Sequence, residues 1–460
     1  MEQDFEATRE LMPDWQPYAG PSVAADLLIT GIGELATMAG ASDQPKRGDN
    51  LSAVGVLHGA AITIGNGVIL DVGAEAAVLA RAVIGEQTRV IDAGGRAVIP
   101  GLIDCHTHLP FAGSREDEFF LRLQGASYQQ ILAAGGGILE TVRATRAVSA
   151  ADLTKLMLAR MDAMLLMGTT TAEAKSGYGL HTEHELKQLV AIAAAAASHP
   201  LELVPTFLGA HAVPDEYRDD RSAYVELLLR DMLPQIANAN RAAESAGQPP
   251  IAAFCDVFCE SGAFTPAEAR RILKEGAALG LRPKIHADQL GNGGGAALAA
   301  EVSAISADHL EYASAEGLAA MAAMGTMGVL LPGAAFCLRH PQADARRMIE
   351  LGVPVALATD FNPGSSPISS LLFVIALACI EMHLNPAEAL AAATINAAHA
   401  IGAAQRIGSV EVGKQADIVI LDAPNHRHIA YRPSGPLVHT AVKRGRVVVD
   451  ARRLTVPERI

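Results

Sequence analysis

Residues 98–108 read Val98-Ile99-Pro100-Gly101-Leu102-Ile103-Asp104-Cys105-His106-Thr107-His108, an apolar run of strand length that stops at two histidines two positions apart. Side chains at i and i+2 of a strand lie on one face, so His106 and His108 can offer both rings to one ion. An H-x-H pair alone is a common accident of sequence, and its surroundings decide its meaning. Here the surroundings repeat. Further apolar runs of strand length stand at 169–174, 201–208, 252–259, 282–285, 302–307, 325–331 and 354–358, alternating with Ala/Leu/Arg/Glu-rich helical stretches. With 98–105 they make the set of βα units that a closed (β/α)8 barrel needs.

The exits of these runs are polar and able to bind metal. After the first comes His106-Thr107-His108, after the second Lys175-Ser176-Gly177-Tyr178-Gly179, after the third His211, and after the fourth Glu260-Ser261-Gly262. The fifth leads into His286-Ala287-Asp288-Gln289, the sixth into Asp308-His309, and the eighth into Asp360-Phe361-Asn362-Pro363-Gly364-Ser365-Ser366. A barrel carries its active site at the C-terminal ends of its strands, and scattered core histidines would not recur at that position. His286 and Asp360 therefore join His106 and His108 as candidate ligands. Three imidazoles and one carboxylate suit Zn²⁺ or a similar first-row ion such as iron and make a poor cage for Ca²⁺ or Mg²⁺. Such an ion lowers the pKa of a bound water toward ~7.

Outside the barrel, residues 1–24 hold Pro13, Pro17, Gly20 and Pro21 with little periodicity and read as a loosely attached arm. Short alternating runs recur from 25 to 97, with Asn66-Gly67 as a hairpin-turn candidate, and again over 405–460. The two β-rich ends are expected to pair into one small β-sandwich beside a catalytic barrel at 98–404. Gly135-Gly136-Gly137 and Gly293-Gly294-Gly295 read either as plain loops or as backbone brought close to a ligand.

The formal charge of −14 argues against a nucleic acid or an anionic membrane as partner, since both select clustered Lys and Arg. The first residues lack the pattern of a secretory signal, and apolar runs such as 371–380 are too short to span a bilayer. An odd number of cysteines, Cys105, Cys255, Cys259, Cys337 and Cys379, fits reduced thiols in a cytoplasmic enzyme. Cys255 and Cys259 have no second pair to complete a zinc site and read as core or loop thiols.

The order from Pro100 to His108, a later strand-end histidine and Thr359-Asp360 resembles the amidohydrolase superfamily. Narrower agreement comes from Phe111-Ala112-Gly113-Ser114-Arg115-Glu116, Leu123-Gln124-Gly125-Ala126, the stretch 133–138, Glu173-Ala174-Lys175-Ser176-Gly177-Tyr178-Gly179-Leu180, Leu208-Gly209-Ala210-His211-Ala212-Val213-Pro214 and the stretch 360–367. These resemble the imidazolonepropionase family from the first barrel strand to the last. The resemblance implies hydrolysis of 4-imidazolone-5-propanoate to N-formimidoyl-L-glutamate, in histidine degradation, by attack of metal-activated water on the ring lactam carbonyl. It implies one Zn²⁺ or Fe²⁺/Fe³⁺ per subunit on His106, His108, His286 and Asp360, and a homodimer. It places Arg115, Tyr178 and His211 on a small substrate with a carboxylate tail, and Asn362, Gly364 and Ser365 near the propionate or the product. Gln289 and His309 would flank the reacting carbonyl, with Asp360 and His309 sharing the proton transfer.

Each role has a plainer rival. Arg115 stands among Glu116, Asp117 and Glu118 and, apart from the resemblance, reads as a surface ion-pair residue. Tyr178 could pack its ring, His211 could support a ligand from behind, and His309 could merely be oriented by Asp308. Gln289 can position groups by hydrogen bonds but cannot act as a base, which shifts that role toward Asp360 or His309. Lys175 does not stand where the bridging lysine of two-metal relatives would, so it reads as structural or loop-forming and a single metal is favoured. The alternative enzyme is a mononuclear deaminase of a heterocyclic base, opposed by Gln289 where a Glu shuttle is expected and by Arg115 with the Ser-Gly-Tyr-Gly loop. A metal-free binding protein on the same barrel is opposed by the intact ligand set.

Overall fold

The computed structural model describes residues 24–125 and 136–455. All but the last residue of the expected arm, Ala126 of the Leu123–Ala126 motif and residues 133–135 of the stretch 133–138, Gly135 included, lie outside that description.

The first chain end supplies β1 (Ala25–Ala36), β2 (Val56–Gly65), β3 (Val68–Ala74), β4 (Ile84–Asp92) and β5 (Ala97–Pro100). The middle supplies β6 (Leu102–Asp104), β7 (Thr169–Lys175), β8 (Glu202–Ala210), β9 (Phe254–Cys259), β10 (Arg282–Ala287), β11 (Ser306–His309), β12 (Met327–Leu330) and β13 (Val355–Leu357). The C-terminal end adds β14 (Ile418–Leu421), β15 (Val438–Lys443), β16 (Arg446–Asp450) and β17 (Arg453–Leu454).

The two ends form one mixed sheet in the order β17-β16-β15-β14-β5-β1-β2-β3, with β4 also paired to β1. The splice is β5 against β14, antiparallel with Val98 opposite Ile420 and Pro100 opposite Ile418. Asn66 and Gly67 both take positive φ, 53° and 76°, the requirement of the two-residue turn whose twist matches its flanking strands. Leu27, Ile29, Ile62, Ile64, Val98, Ile418 and Val442 pack into a core of this sheet's own.

Strands β6 to β13 are parallel neighbours in chain order, the expected barrel. The ring closes past the strand ends, where Thr107 bridges Phe361 and the Asp360 and His108 amides donate to His106 and Phe361 carbonyls at 3.1 and 3.0 Å. Helices between strands start on sequence-encoded caps. Thr265 and Glu268 form a capping box before Pro266–Ala278, and Asn385 and Glu388 form another before Pro386–Ala392, each with Pro at the first helical turn, where a missing N–H costs nothing.

Two strand expectations are corrected. The run 98–105 is two strands in two sheets, β5 and β6, divided at Gly101, whose amide donates to the Asp417 carbonyl of the small domain at 2.9 Å. The run 302–307 starts late. Val302 still donates to Leu298 at the end of the preceding helix, Ser303 turns through positive φ, and the strand begins at Ser306.

The barrel interior is polar. Glu173 and Lys175 on β7, Asp256 on β9, Lys284 and His286 on β10 and Ser306 and Asp308 on β11 are all buried, at the alternate positions that face inward. No helix among the described residues is long and apolar enough to cross a membrane.

Candidate metal centre and substrate pocket

At the mouth of this interior the candidate ligands meet. His108 Nε2 lies 3.5 Å from His286 Nε2 and 3.4 Å from Asp360 Oδ1, which is itself 3.5 Å from His106 Nε2. His309 and His211 border the same cluster, each within ligand-sharing distance of His286.

The rings are aimed from behind. His106 Nδ1 is 2.5 Å from Asp308 Oδ2, and His286 Nδ1 is 3.1 Å from Asp256 Oδ1, so each presents Nε2 to the mouth. A carboxylate on the remote nitrogen fixes a ring's tautomer and raises its strength as a donor. Burial lowers the pKa of His106, His211 and His286, which keeps their lone pairs available. Burial alone would raise Asp360, but its hydrogen bond to His108 and the charge of the neighbouring His309 hold its carboxyl below the ordinary range.

These residues fit a metal ion. His106 Nε2, on the side of the cluster, is buried with no hydrogen-bond partner, and an unsatisfied buried polar atom is costly. Two imidazole nitrogens facing each other at 3.5 Å beside a carboxylate oxygen form a donor cluster that needs a proton or a cation between its members.

Asp360 is held by its own loop. It takes a positive φ of 53°, Ser365 Oγ donates to its Oδ2 at 3.2 Å, and Asn362 Nδ2 donates to its carbonyl at 2.6 Å. Asn362 Oδ1 accepts from the Gly364 and Ser365 amides, both at 2.8 Å. Asn362 thus spends its amide on the loop, and the Ser365 hydroxyl is turned toward the ligand. Asp104 anchors the strand before it through Thr359 Oγ1 at 2.6 Å, and burial pushes the Asp104 carboxyl up to about 7.

On the other side of the mouth, His211 stacks on His108 and shares a hydrogen bond with the Gly177 carbonyl through Nδ1 at 3.0 Å. Tyr178 is buried against both rings. Burial and the Asp360 charge raise its pKa, so its hydroxyl keeps its proton. Glu185 accepts from the amides of Gly177, Gly179 and Leu180, which holds the Ser-Gly-Tyr-Gly loop from below.

Arg115 donates from Nε and Nη2 to Glu118 Oε2 at 3.0 and 2.6 Å, and Glu118 Oε1 also accepts from the Gly137 amide at 2.6 Å. The ion pair that the sequence offers as a rival is therefore present, but the side chain is largely enclosed rather than on the surface. Its Nη1 rests on Gly364, where a Cβ would collide with it. Gln289 is buried, with its amide and that of Leu290 donating to Glu260 Oε2 at 2.9 Å.

Asp308 orients His106, not His309, whose nearest carboxylate among the described residues is Glu311 at 3.8 Å. Of the two readings of Lys175, structural or loop-forming, the structural one holds: it ends β7 inside the barrel, 2.7 Å from Asp256 and 2.9 Å from Glu173. Sequence reasoning misses Asp256 and Asp308 as supports of the two histidines, although an acid at an inward position of a buried strand demands a partner. Gly293, Gly295 and Ala296 donate their amides to the Asp288 carboxylate, so that glycine run caps a helix. The cysteines are free.

Residues 97–448 match the amidohydrolase family. An imidazolonepropionase of Symbiobacterium thermophilum is 57% identical over 426 residues, 92% of this chain and 97% of the relative. One from Geobacillus kaustophilus is 51% identical over 425 residues, 92% and 98% of the two chains. Among solved structures, an adenosine deaminase from Xanthomonas campestris with bound zinc gives a TM-score of 0.67 at 21% identity, covering 95% of this chain and 96% of that one. The guanine deaminase of E. coli gives 0.64 at 15% identity, covering 92% and 99%. At those identities the deaminases share the fold alone, whereas the curated relatives match nearly end to end. The chain belongs to the amidohydrolase family and, within it, to the imidazolonepropionase family.

Proposed function

We propose that this chain hydrolyses the ring amide of 4-imidazolone-5-propanoate, giving N-formimidoyl-L-glutamate in histidine degradation. The observation that carries the reading is the convergence of His106, His108, His286 and Asp360 at one mouth of the barrel. These four would hold a single first-row ion, zinc or iron. When bound, such an ion supplies Lewis acidity toward a carbonyl oxygen and makes water nucleophilic near neutral pH.

The chain's own groups supply the rest. Asp360, steadied by Ser365 on Oδ2, takes the proton of the attacking water and returns it to the ring nitrogen as the carbon–nitrogen bond breaks. His309 stands beside His106 and His286, where its ring donates to the oxyanion that develops on the carbonyl. Gln289 orients the reacting groups by hydrogen bonds without moving a proton. Tyr178 donates a hydrogen bond from its protonated hydroxyl to the ring's polar edge, and His211 faces the same edge with its ring nitrogen.

Arg115 binds the propionate. Its Nη1 and Nη2 tip, on the far side from the Glu118 contact, would meet the carboxylate oxygens, with Gly364 giving Nη1 its place and the loop of Asn362 and Ser365 shaping that end of the pocket. A homodimer and a cytoplasmic location complete the reading and rest on the resemblance to the family.

The test is loss of imidazolone propionate absorbance with purified, metal-loaded protein, run beside a panel of amino-heterocycles assayed for ammonia. Turnover of the imidazolone without ammonia release from the panel is expected. Ammonia release with no loss of the imidazolone would replace this reading with the deaminase one.

A further inference from the structure

Below the mouth lies a buried charge array that the proposed reaction does not use. Glu173, Lys175, Asp256, Lys284 and Asp308 are fully enclosed. Lys175 Nζ is 2.7 Å from Asp256 Oδ2, 2.9 Å from Glu173 Oε2 and 3.7 Å from Asp308 Oδ2. Lys284 Nζ is 3.2 Å from Glu173 and 3.9 Å from Asp308. Among the described residues, Lys175 is thus the lysine or arginine that reaches both Asp256 and Asp308.

Those two carboxylates are the ones on the remote nitrogens of His286 and His106. The two histidines follow or end strands β6 and β10, which are separated in the sheet by β7, β8 and β9. Between their own strands no hydrogen bonds run; the backbone joins the two rings, whose centroids are 4.5 Å apart, only through β11, where Asp308 stands opposite His286. A side-chain link crosses the barrel beside it: His106 to Asp308, to Lys175, to Asp256, to His286.

We infer that Lys175 is a positioning residue of the metal centre: by bridging Asp256 and Asp308 it sets the separation of the His106 and His286 rings, and so how tightly a first-row ion is held. The inference rests on the proposal that these two histidines are ligands. Outer partners of metal-bound histidines typically change affinity by about 10- to 100-fold when removed, and one residue that aligns two such partners acts on both rings together.

The experiment measures Zn²⁺ affinity of the full chain by competition with a chelating dye, and the visible absorption of the Co²⁺-loaded protein. It compares wild type, Lys175→Met, and the charge-balanced Lys175→Met/Glu173→Gln. The expected result is at least a roughly 10-fold weaker affinity in both variants, with displaced cobalt bands. Wild-type affinity in the charge-balanced variant would show that Lys175 acts as charge only and would overturn the inference.

Because removing a buried lysine can disrupt folding, a second set leaves it in place: Asp256→Asn, Asp308→Asn and the two combined. Residues coupled through a shared partner are non-additive, so the combined loss of affinity should differ from the product of the single losses by about 5-fold or more. Additive losses would overturn the bridge. If wild type itself holds no ion, the ligand reading fails and takes this inference with it; if wild type holds one tightly and every variant matches it, only the inference fails.

Discussion

The imidazole of His211 lies face to face with that of His108, their centroids 4.9 Å apart and their planes 15° from parallel. A stacked wall and a polar contact to substrate are separable roles for His211. In His211→Phe the stack survives and the ring nitrogens do not. The expected outcome is a kcat/KM lowered by about 100-fold, in the range of a lost polar group acting on the transition state, with metal content unchanged. Wild-type kinetics in this variant would reduce His211 to packing.

Arg115 donates to Glu118 from Nε and Nη2 and is proposed to bind the propionate with the rest of its guanidinium. For Arg115→Ala, KM for the propionate-bearing substrate should rise by about 10- to 100-fold, the scale of a lost charged hydrogen bond of ~1.5–3 kcal/mol. Arg115→Lys should restore only part, because an ammonium cannot reproduce the planar fork. Steady-state kinetics checks both, and an unchanged KM would return Arg115 to a structural ion pair.

Ser365 reaches Asp360 Oδ2 at 3.2 Å and so bears on proton transfer more than on binding. Ser365→Ala should lower kcat by about 5-fold, one hydrogen bond of ~1 kcal/mol, and leave KM nearly unchanged. A rise in KM at constant kcat would instead place the hydroxyl on the substrate.

Glu202, at the start of β8, joins the barrel to the small domain through Arg406, Lys443 and Arg444, at 3.2 Å from the lysine and 2.9 Å from Arg444. Burial alone would raise its pKa, but the Arg406 hydrogen bond and the surrounding cations hold it well below the ordinary range. A depressed carboxyl stabilises the fold fully above its unfolded value of ~4.3 and loses that contribution as pH falls from there through the folded value. Glu202→Gln should therefore melt several degrees lower than wild type at pH 7, and the gap should narrow below about pH 4. A gap independent of pH, followed by scanning calorimetry, would contradict this assignment.

Much of the site is legible in the chain because a barrel repeats its chemistry at one position per unit. His106, His108, His286 and Asp360 each stand at the exit of an apolar run, and the structure brings them together. Asp256, Asp308 and Lys175 are harder to read. Each is a lone charge in or beside a strand, and only the register of β7, β9, β10 and β11 reveals that they face one another. The run 98–105 misleads for a different reason: a continuous apolar stretch does not say that the chain changes sheets at Gly101. The bonds that Asn362 and Ser365 make within their own loop are not legible either, since a loop sequence does not disclose which of its backbone groups a side chain will meet.

In the proposed function, hydrolysis requires one cation held by three histidines and Asp360. The most direct test is to strip the protein with a chelator and add back Zn²⁺ in steps while following imidazolone propionate turnover, with His286→Ala in parallel. Activity should rise from near zero and break at about one ion per chain, with no recovery in the variant. Turnover by the stripped protein, or full recovery in His286→Ala, would contradict it.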